Sequence, residues 1–382
     1  MRRGLVPPTD VHNVDMSTAR ITVGLPVYKG ADLITNALHC LQRQTFGNFE
    51  ALISVDGNDA ETAAACRPFL VDSRFRMVVH SDRLDWVGNF NWLLQQDLQE
   101  FFCYRQHDDT TAPEFFEVLL QAAEKDPNAA ALYCDCRFIG RDDLQILHSI
   151  EGEPLDRMLQ YIEHMSAAPV RGLIRRAAIR QAGLVRTDEF RAAHQIYGWL
   201  AKLVRWGNFR RVPEVLYYKL EHPKNFTSEF LARPEDQRRA ACSTIFTGLL
   251  EAVMPLCRMP EERLYFQQTI LGRVVAYHPF FVSNEPNSAE KLIAECLERL
   301  RFEGNTHLLR VEEVAQVIQE VQRRLVLLEQ SRIRRLFYDA SQRSRFGRLI
   351  YPRSQMRRVM YQVRYLLERF CGAQRRRPRR DA

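Results

Sequence analysis

Ile21-Thr22-Val23-Gly24-Leu25-Pro26-Val27-Tyr28-Lys29-Gly30 opens the folded part of this chain. Its first seven residues are β-branched and apolar and predict a buried strand. The next apolar positions, Leu33, Ile34, Ala37, Leu38 and Leu41, recur at three-and-four spacing and predict a helix. Strand, loop and helix then repeat. Phe49 to Val55 reads as a strand, Thr62 to Leu70 as a short helix, Arg74 to His80 as a strand and Phe90 to Gln99 as a helix. Phe101 to Arg105 follows as a strand, Pro113 to about Lys125 as a helix and Ala129 to Cys134 as a strand. Such alternation predicts an α/β fold, a Rossmann-like sandwich around a mostly parallel central sheet. Further on, Ala177 to Ala182 and His194 to Trp206 read as helices, the second stopped by Gly207, and Arg211 to Lys219 reads as extended.

Three markers stand where apolar strands end: Pro26-Val27-Tyr28, Asp56, and the pair Asp108-Asp109. In an open parallel sheet, ligands bind beyond the carboxyl ends of the strands. Adjacent carboxylates there repel unless a cation screens them, so the pair predicts a divalent ion held against a diphosphate. The competing reading is that the acids only begin the helix at Pro113, and that Asp56 only caps an Asp-Gly turn.

Length and composition set the frame. The chain has 382 residues, 46% hydrophobic and 26% charged, enough for a full α/β domain and an appended unit, and unlike a disordered chain. No stretch approaches the roughly 18 uninterrupted apolar residues of a membrane span. The start, Met1 to Pro8, lacks the apolar core of a signal peptide, so a cytoplasmic location is expected. Nine cysteines are scattered from Cys40 to Cys371, several in apolar runs, as reduced structural thiols are. Cys134 and Cys136 lack the second pair that a zinc site needs.

Charge is divided unevenly. From Ser331 onward there are 16 Arg, no Lys and three acids, a balance of +13, so residues 1–330 carry 7 − 13 = −6. The expected organisation is a flexible extension over 1–19, the sheet domain over 20–225, a helical appendage over 226–330 and an Arg-rich amphipathic tail over 331–382. Within the appendage Leu249 to Cys257, Leu264 to Ala276, Leu292 to Leu300 and Val311 to Leu328 read as helices. The tail suits an anionic membrane surface first, packing on the acidic body second and nucleic acid third. No RNA-recognition motif accompanies it, so no specific nucleic acid is expected.

Together these residues resemble a family 2 glycosyltransferase of the GT-A fold. The resemblance rests on Val23 to Gly30, on Gln44-Thr45-Phe46 closing the first helix, and on Ile53-Ser54-Val55-Asp56-Gly57. It continues through Asn89 and Asn91, Gln106-His107-Asp108-Asp109 with Pro113 and Phe115, Arg175-Arg176, Gly207 and Val212 to Lys219 with His222. It covers roughly residues 20–228, with Val55 and Gln106 standing where the family has acids.

The resemblance implies a metal-dependent, inverting transfer of a sugar from a nucleotide-diphospho-sugar to a glycan or lipid-linked acceptor in bacterial cell-surface polysaccharide assembly. A UDP-type donor is favoured, because an ionised Asp56 accepts the imide N–H of uracil. Pro26, Tyr28, Asp56, Asn91 and Asp108 are expected at the nucleotide-sugar. Asp109, with Asp108 and His222, is expected to hold Mg²⁺ or Mn²⁺, and Gly30 to let the loop approach the ligand. The family's catalytic acid is missing from Arg191 to Trp199. His194 is the leading base, since an imidazole largely neutral at pH 7 accepts a proton, with Glu189 and Asp188 as alternatives. Two other classes stay open: a glycosyltransferase-like module that binds without turnover, and an Arg-tail nucleic-acid binder.

Overall fold

Ten helices and nine strands account for most of residues 19–140, 143–189, 193–222, 230–282 and 288–302, which are the residues the computed structural model describes. All lie in one unit, Met1–Val317. Residues 1–18 of the expected extension, Lys224, the helix from Val311 to Leu328 and the Arg-rich tail lie outside the described residues.

The strands are β1 (Ile21–Val27), β2 (Phe49–Val55), β3 (Phe75–Val79), β4 (Phe101–Tyr104), β5 (Thr110–Thr111), β6 (Ala129–Ile139), β7 (Asp143–Gln145), β8 (Leu173–Arg175) and β9 (Asn208–Leu220). They form one sheet in the order β3-β2-β1-β4-β8-β6-β9-β5, with β7 on β6. β1, β2, β3 and β4 pair in parallel, as do β6 and β9. Short β8 is antiparallel to both β4 and β6, so it turns neither about: all six longer strands point the same way. β5 and β7 are the other reversed pieces. The mostly parallel sheet is as the alternation of strand and helix predicts.

Every residue of β1 and β2 is buried, which is why these strands read as mainly apolar runs and not as alternating ones, with Thr22 and Glu50 hydrogen-bonded to each other at 2.8 Å. Helix α1 (Ala31–Gln42) packs Ile34, Leu38 and Leu41 into this core, and α4 (Phe115–Lys125) adds Phe115, Phe116, Leu119 and Leu120. Gln44 ties the two helices together. Its Nε2 donates to the Ala112 carbonyl at 2.8 Å and its Oε1 accepts the Phe116 N–H at 3.2 Å, while the Thr45 N–H reaches the Pro113 carbonyl at 2.9 Å. The Gln-Thr motif is therefore a brace for the loop after β4.

Two glycines set strand spacing. A Cβ on Gly172 would stand 1.9 Å from the Leu132 carbonyl oxygen, and one on Gly207 would stand 2.3 Å from that of Asn128. Backbone cannot yield as a side-chain tip does. Gly172→Ala is expected to cost about 3 kcal/mol or more, read as a drop in the denaturant midpoint; an unchanged midpoint would contradict this packing.

Several boundaries differ from the sequence reading. Helix α3 runs Asp85–Leu94, starting five residues before the expected Phe90, because Asp85 adopts a left-handed turn (φ 61°) that redirects a polar segment into the helix. β6 extends to Ile139, and α5 (Pro154–His164) was not read at all. The remaining helices are α2 (Ala60–Cys66), α6 (Arg176–Ala182), α7 (Ile196–Val204), α8 (Glu235–Val253), α9 (Pro260–Phe281) and α10 (Ser288–Phe302). α8 starts 14 residues before the expected Leu249. Its Ser243, Thr244 and Thr247 are fully buried and donate to carbonyls three residues back, so its polar spelling hides a core helix. Gly198 of α7 and Gly248 of α8 face each other with backbone atoms in contact, which seats α8 against the sheet domain.

Candidate active site

Asp56 follows β2 and is 1% exposed. Its Oδ1 accepts the Leu84 N–H at 2.6 Å, and its Oδ2 is paired with Arg83. The Arg83 guanidinium lies 3.3 Å from the centroid of the Tyr28 ring. Asp56, Arg83 and Tyr28 therefore form one stacked unit at the carboxyl ends of β1 and β2, with Tyr28 and Arg83 facing solvent. Pro26 is buried inside β1 opposite Ser54, so it shapes the strand end and presents no surface to a ligand.

The two carboxylates after β4 have different surroundings. Asp109 is 1% exposed; its Oδ2 accepts the Tyr217 hydroxyl at 2.6 Å and its Oδ1 the Leu220 N–H at 3.0 Å. Burial, with the neighbouring Asp108 charge, pushes its carboxyl up to about 6, and Arg171 opposes the shift. Asp108 instead turns to His222, two residues past β9, with Oδ2 and Nε2 at 2.9 Å. Both Asp109 oxygens anchor β9, whereas Asp108 and His222 face each other.

His107 fills the space expected for a ligand at Gly30. A Cβ there would meet its ring at 2.6 Å, so Gly30 is required by an internal contact. Burial lowers the His107 pKa, which keeps the ring neutral beside the acids.

Behind the pair lie two cations that the sequence did not single out. Arg171 donates to the Gln106 side chain at 3.2 Å and lies 5.6 Å from the Tyr217 ring. Arg105 is 1% exposed and sits between the Phe115 and Tyr217 rings at 5.0 and 5.3 Å. None of its guanidinium nitrogens has a hydrogen-bond partner among the described residues. The only signal was position: an arginine closing the apolar run Phe101 to Tyr104.

The candidate bases divide in two. His194 Nε2 meets Asp188 Oδ2 at 2.8 Å, and the same oxygen accepts the Gln195 amide at 2.6 Å. Asp188 and His194 are each 4% exposed in their side chains. Glu189 points elsewhere, pairing with Arg299 of α10 at 2.6 Å, a contact that holds its carboxyl below the usual range. Asn91 ties two elements together. Its amide exchanges two 2.8 Å hydrogen bonds with the Val185 peptide, fastening α3 to the loop that carries Asp188. Arg186 joins that loop to Glu251 of α8 at 2.9 Å.

Among the described residues no three His, Cys, Asp or Glu side chains converge as a metal cage. A carboxylate and an imidazole do face each other, however. Mg²⁺ and Mn²⁺ at phosphate sites take one or two protein donors and complete their shell with phosphate oxygens and water, and an imidazole favours Mn²⁺. Asp108 and His222 fit such a shared site. Among the described residues, no helix is long and apolar enough to cross a membrane.

Residues 22–182 match the family model for glycosyl transferase family 2. Among solved structures, S. aureus TarS 1-349 in complex with UDP-GlcNAc is similar at TM-score 0.52 and 14% identity, over 79% of this chain and 90% of that one. The same protein in complex with UDP is similar at TM-score 0.50 and 15% identity, over 75% and 92%. A longer S. aureus TarS structure matches at TM-score 0.45 and 16% identity; the match spans 78% of this chain and 54% of that one.

Proposed function

We propose that this chain, whose residues 22–182 match the family model for glycosyl transferase family 2, moves a sugar from a uridine diphosphate donor to an acceptor hydroxyl, with inversion, using a divalent cation on Asp108 and His222. The observation that carries this reading is the Asp108–His222 pair beside the Tyr28–Arg83–Asp56 stack, both at the carboxyl end of one sheet. TarS, which shares the fold, was crystallised with UDP and UDP-GlcNAc.

In this reading the base lies against Tyr28 and Arg83. Arg83 donates to a uracil carbonyl and Asp56 accepts the imide N–H. Asp108 and His222 hold the diphosphate end, where a bound divalent ion supplies charge to the departing group. Asp188 orients His194 through its ring Nε2, and the imidazole takes the acceptor hydroxyl's proton as its oxygen bonds to the anomeric carbon and the bond to the diphosphate breaks. Displacement from the opposite face inverts the centre. A glycan or lipid-linked acceptor, and attachment of the chain to a membrane surface, remain part of the proposal.

Arg83→Ala is expected to weaken UDP binding about 10- to 100-fold, because it removes a charge-assisted hydrogen bond and a stacked cation together. Calorimetric titration with UDP checks it; unchanged affinity would remove Arg83 from the base pocket. The function itself is tested by release of free nucleotide from a panel of nucleotide-sugars with Mg²⁺ or Mn²⁺. Turnover of UDP-sugars above all others is the expected result.

A second reading, a donor-binding module without turnover, is favoured by the burial of Asp188 and His194. The same assay decides it: metal-dependent UDP binding with no nucleotide release from any sugar donor would establish the module.

A further inference from the structure

A cavity of about 680 Å³ lies at the end of the sheet opposite the donor site. Ala129, which opens β6, and Asn208, which opens β9, both line it. The Asp108–His222 pair lies past the far end of β9, on the order of 40 Å away at the rise of an extended strand. The two sites are therefore separate.

Three arginines reach this cavity from three elements: Arg157 from α5, Arg175 from the end of β8 and Arg205 just past α7. They face one lining carboxylate, Glu153. Arg157 donates only to carbonyls, those of Val204 and Arg205 at 2.8 Å and that of Gly152. It is thereby fixed in place, with Glu153 the carboxylate that acts on its charge. Arg205 has a buried Nε with no hydrogen-bond partner among the described residues, and its guanidinium lies 5.6 Å from the ring of the half-exposed Trp206. Arg175 contacts Glu100 at 3.2 Å and the Ala129 carbonyl at 3.1 Å. Three partly buried cations outnumber the Glu153 and Glu100 carboxylates beside them, and an anion with several oxygen acceptors balances the excess. The volume exceeds what one phosphate needs and lies in the range of small-molecule sites.

We propose that this cavity binds a phosphate-bearing small molecule, at a site distinct from the donor pocket. Calorimetric titration of the full chain with inorganic phosphate, pyrophosphate and glucose 1-phosphate in EDTA tests it. Binding is expected in the wild type and in Asp108→Asn alike, so failure of the donor assignment would not affect the result. Arg205→Glu is expected to weaken binding about tenfold or more. Glucose 1-phosphate binding more tightly than phosphate identifies an organic phosphate as the ligand; equal affinities identify the free anion. Should Arg205→Glu lower the melting temperature, Gln181→Glu, at an exposed lining position, brings in a negative charge without removing an arginine and is expected to act in the same direction. The proposal is overturned if none of the three anions binds the wild type, or if the charge-changing variants bind as the wild type does.

Discussion

Asp108→Asn is expected to lower turnover of the nucleotide-sugar by about 10³-fold, with the melting temperature little changed. Asn keeps the shape of the side chain and an oxygen that accepts from His222, but it loses the negative charge that a divalent ion requires. Asp109→Asn supplies the contrast. Both Asp109 oxygens are bonded to β9, at Tyr217 and Leu220, so the protein itself uses that residue to hold the strand carrying His222. Its replacement is expected to change stability more than the response to added metal. Steady-state rates measured against Mn²⁺ concentration separate the two: Asp108→Asn loses the metal response and Asp109→Asn keeps it. The reverse result would restore Asp109 as the principal ligand.

The second large effect is expected at His194. Removing a general base costs typically 10²- to 10⁴-fold, so His194→Ala is expected to lower kcat by roughly that factor while KM for the donor stays nearly constant. Asp188→Asn is expected to have a smaller effect of the same kind, because an amide offers N–H as well as C=O to the imidazole and weakens its orientation. The conservative variant distinguishes a base from a packing residue: His194→Gln keeps a hydrogen-bonding side chain but cannot take up the acceptor's proton, so it should retain only a low rate. Restoration of full activity by His194→Gln would reduce the dyad to a structural role.

The residues that made the fold legible were those whose burial leaves no alternative. β1 and β2 are buried and mainly apolar on both faces because the sheet is covered on both sides, and α1 and α4 carry one apolar stripe each. Where burial is satisfied by other means, the sequence was opaque. α8 buries Ser and Thr by returning their hydroxyls to its own backbone, and α3 begins in a polar run through the left-handed Asp85.

The site was legible at its acids and illegible at its cations. Asp56 and Asp108 stand at strand ends, where a carboxylate is conspicuous. Arg83 lies in the polar run His80 to Asp85, which reads as an ordinary loop until the stacking on Tyr28 is visible. Which of two adjacent carboxylates faces outward depends on β9, more than a hundred residues away, and no local pattern carries that information. The partnership of Asp188 with His194 is equally a product of tertiary structure, since Asn91 and Arg186 set the course of the loop between them.

The central claim is that a cation shared by Asp108 and His222 holds the donor's diphosphate. Calorimetric titration of UDP into the wild type and Asp108→Asn, each in EDTA and in Mn²⁺, tests it directly. The expected result is tight binding only by the wild type in Mn²⁺. Equal UDP affinity in all four titrations would contradict the claim.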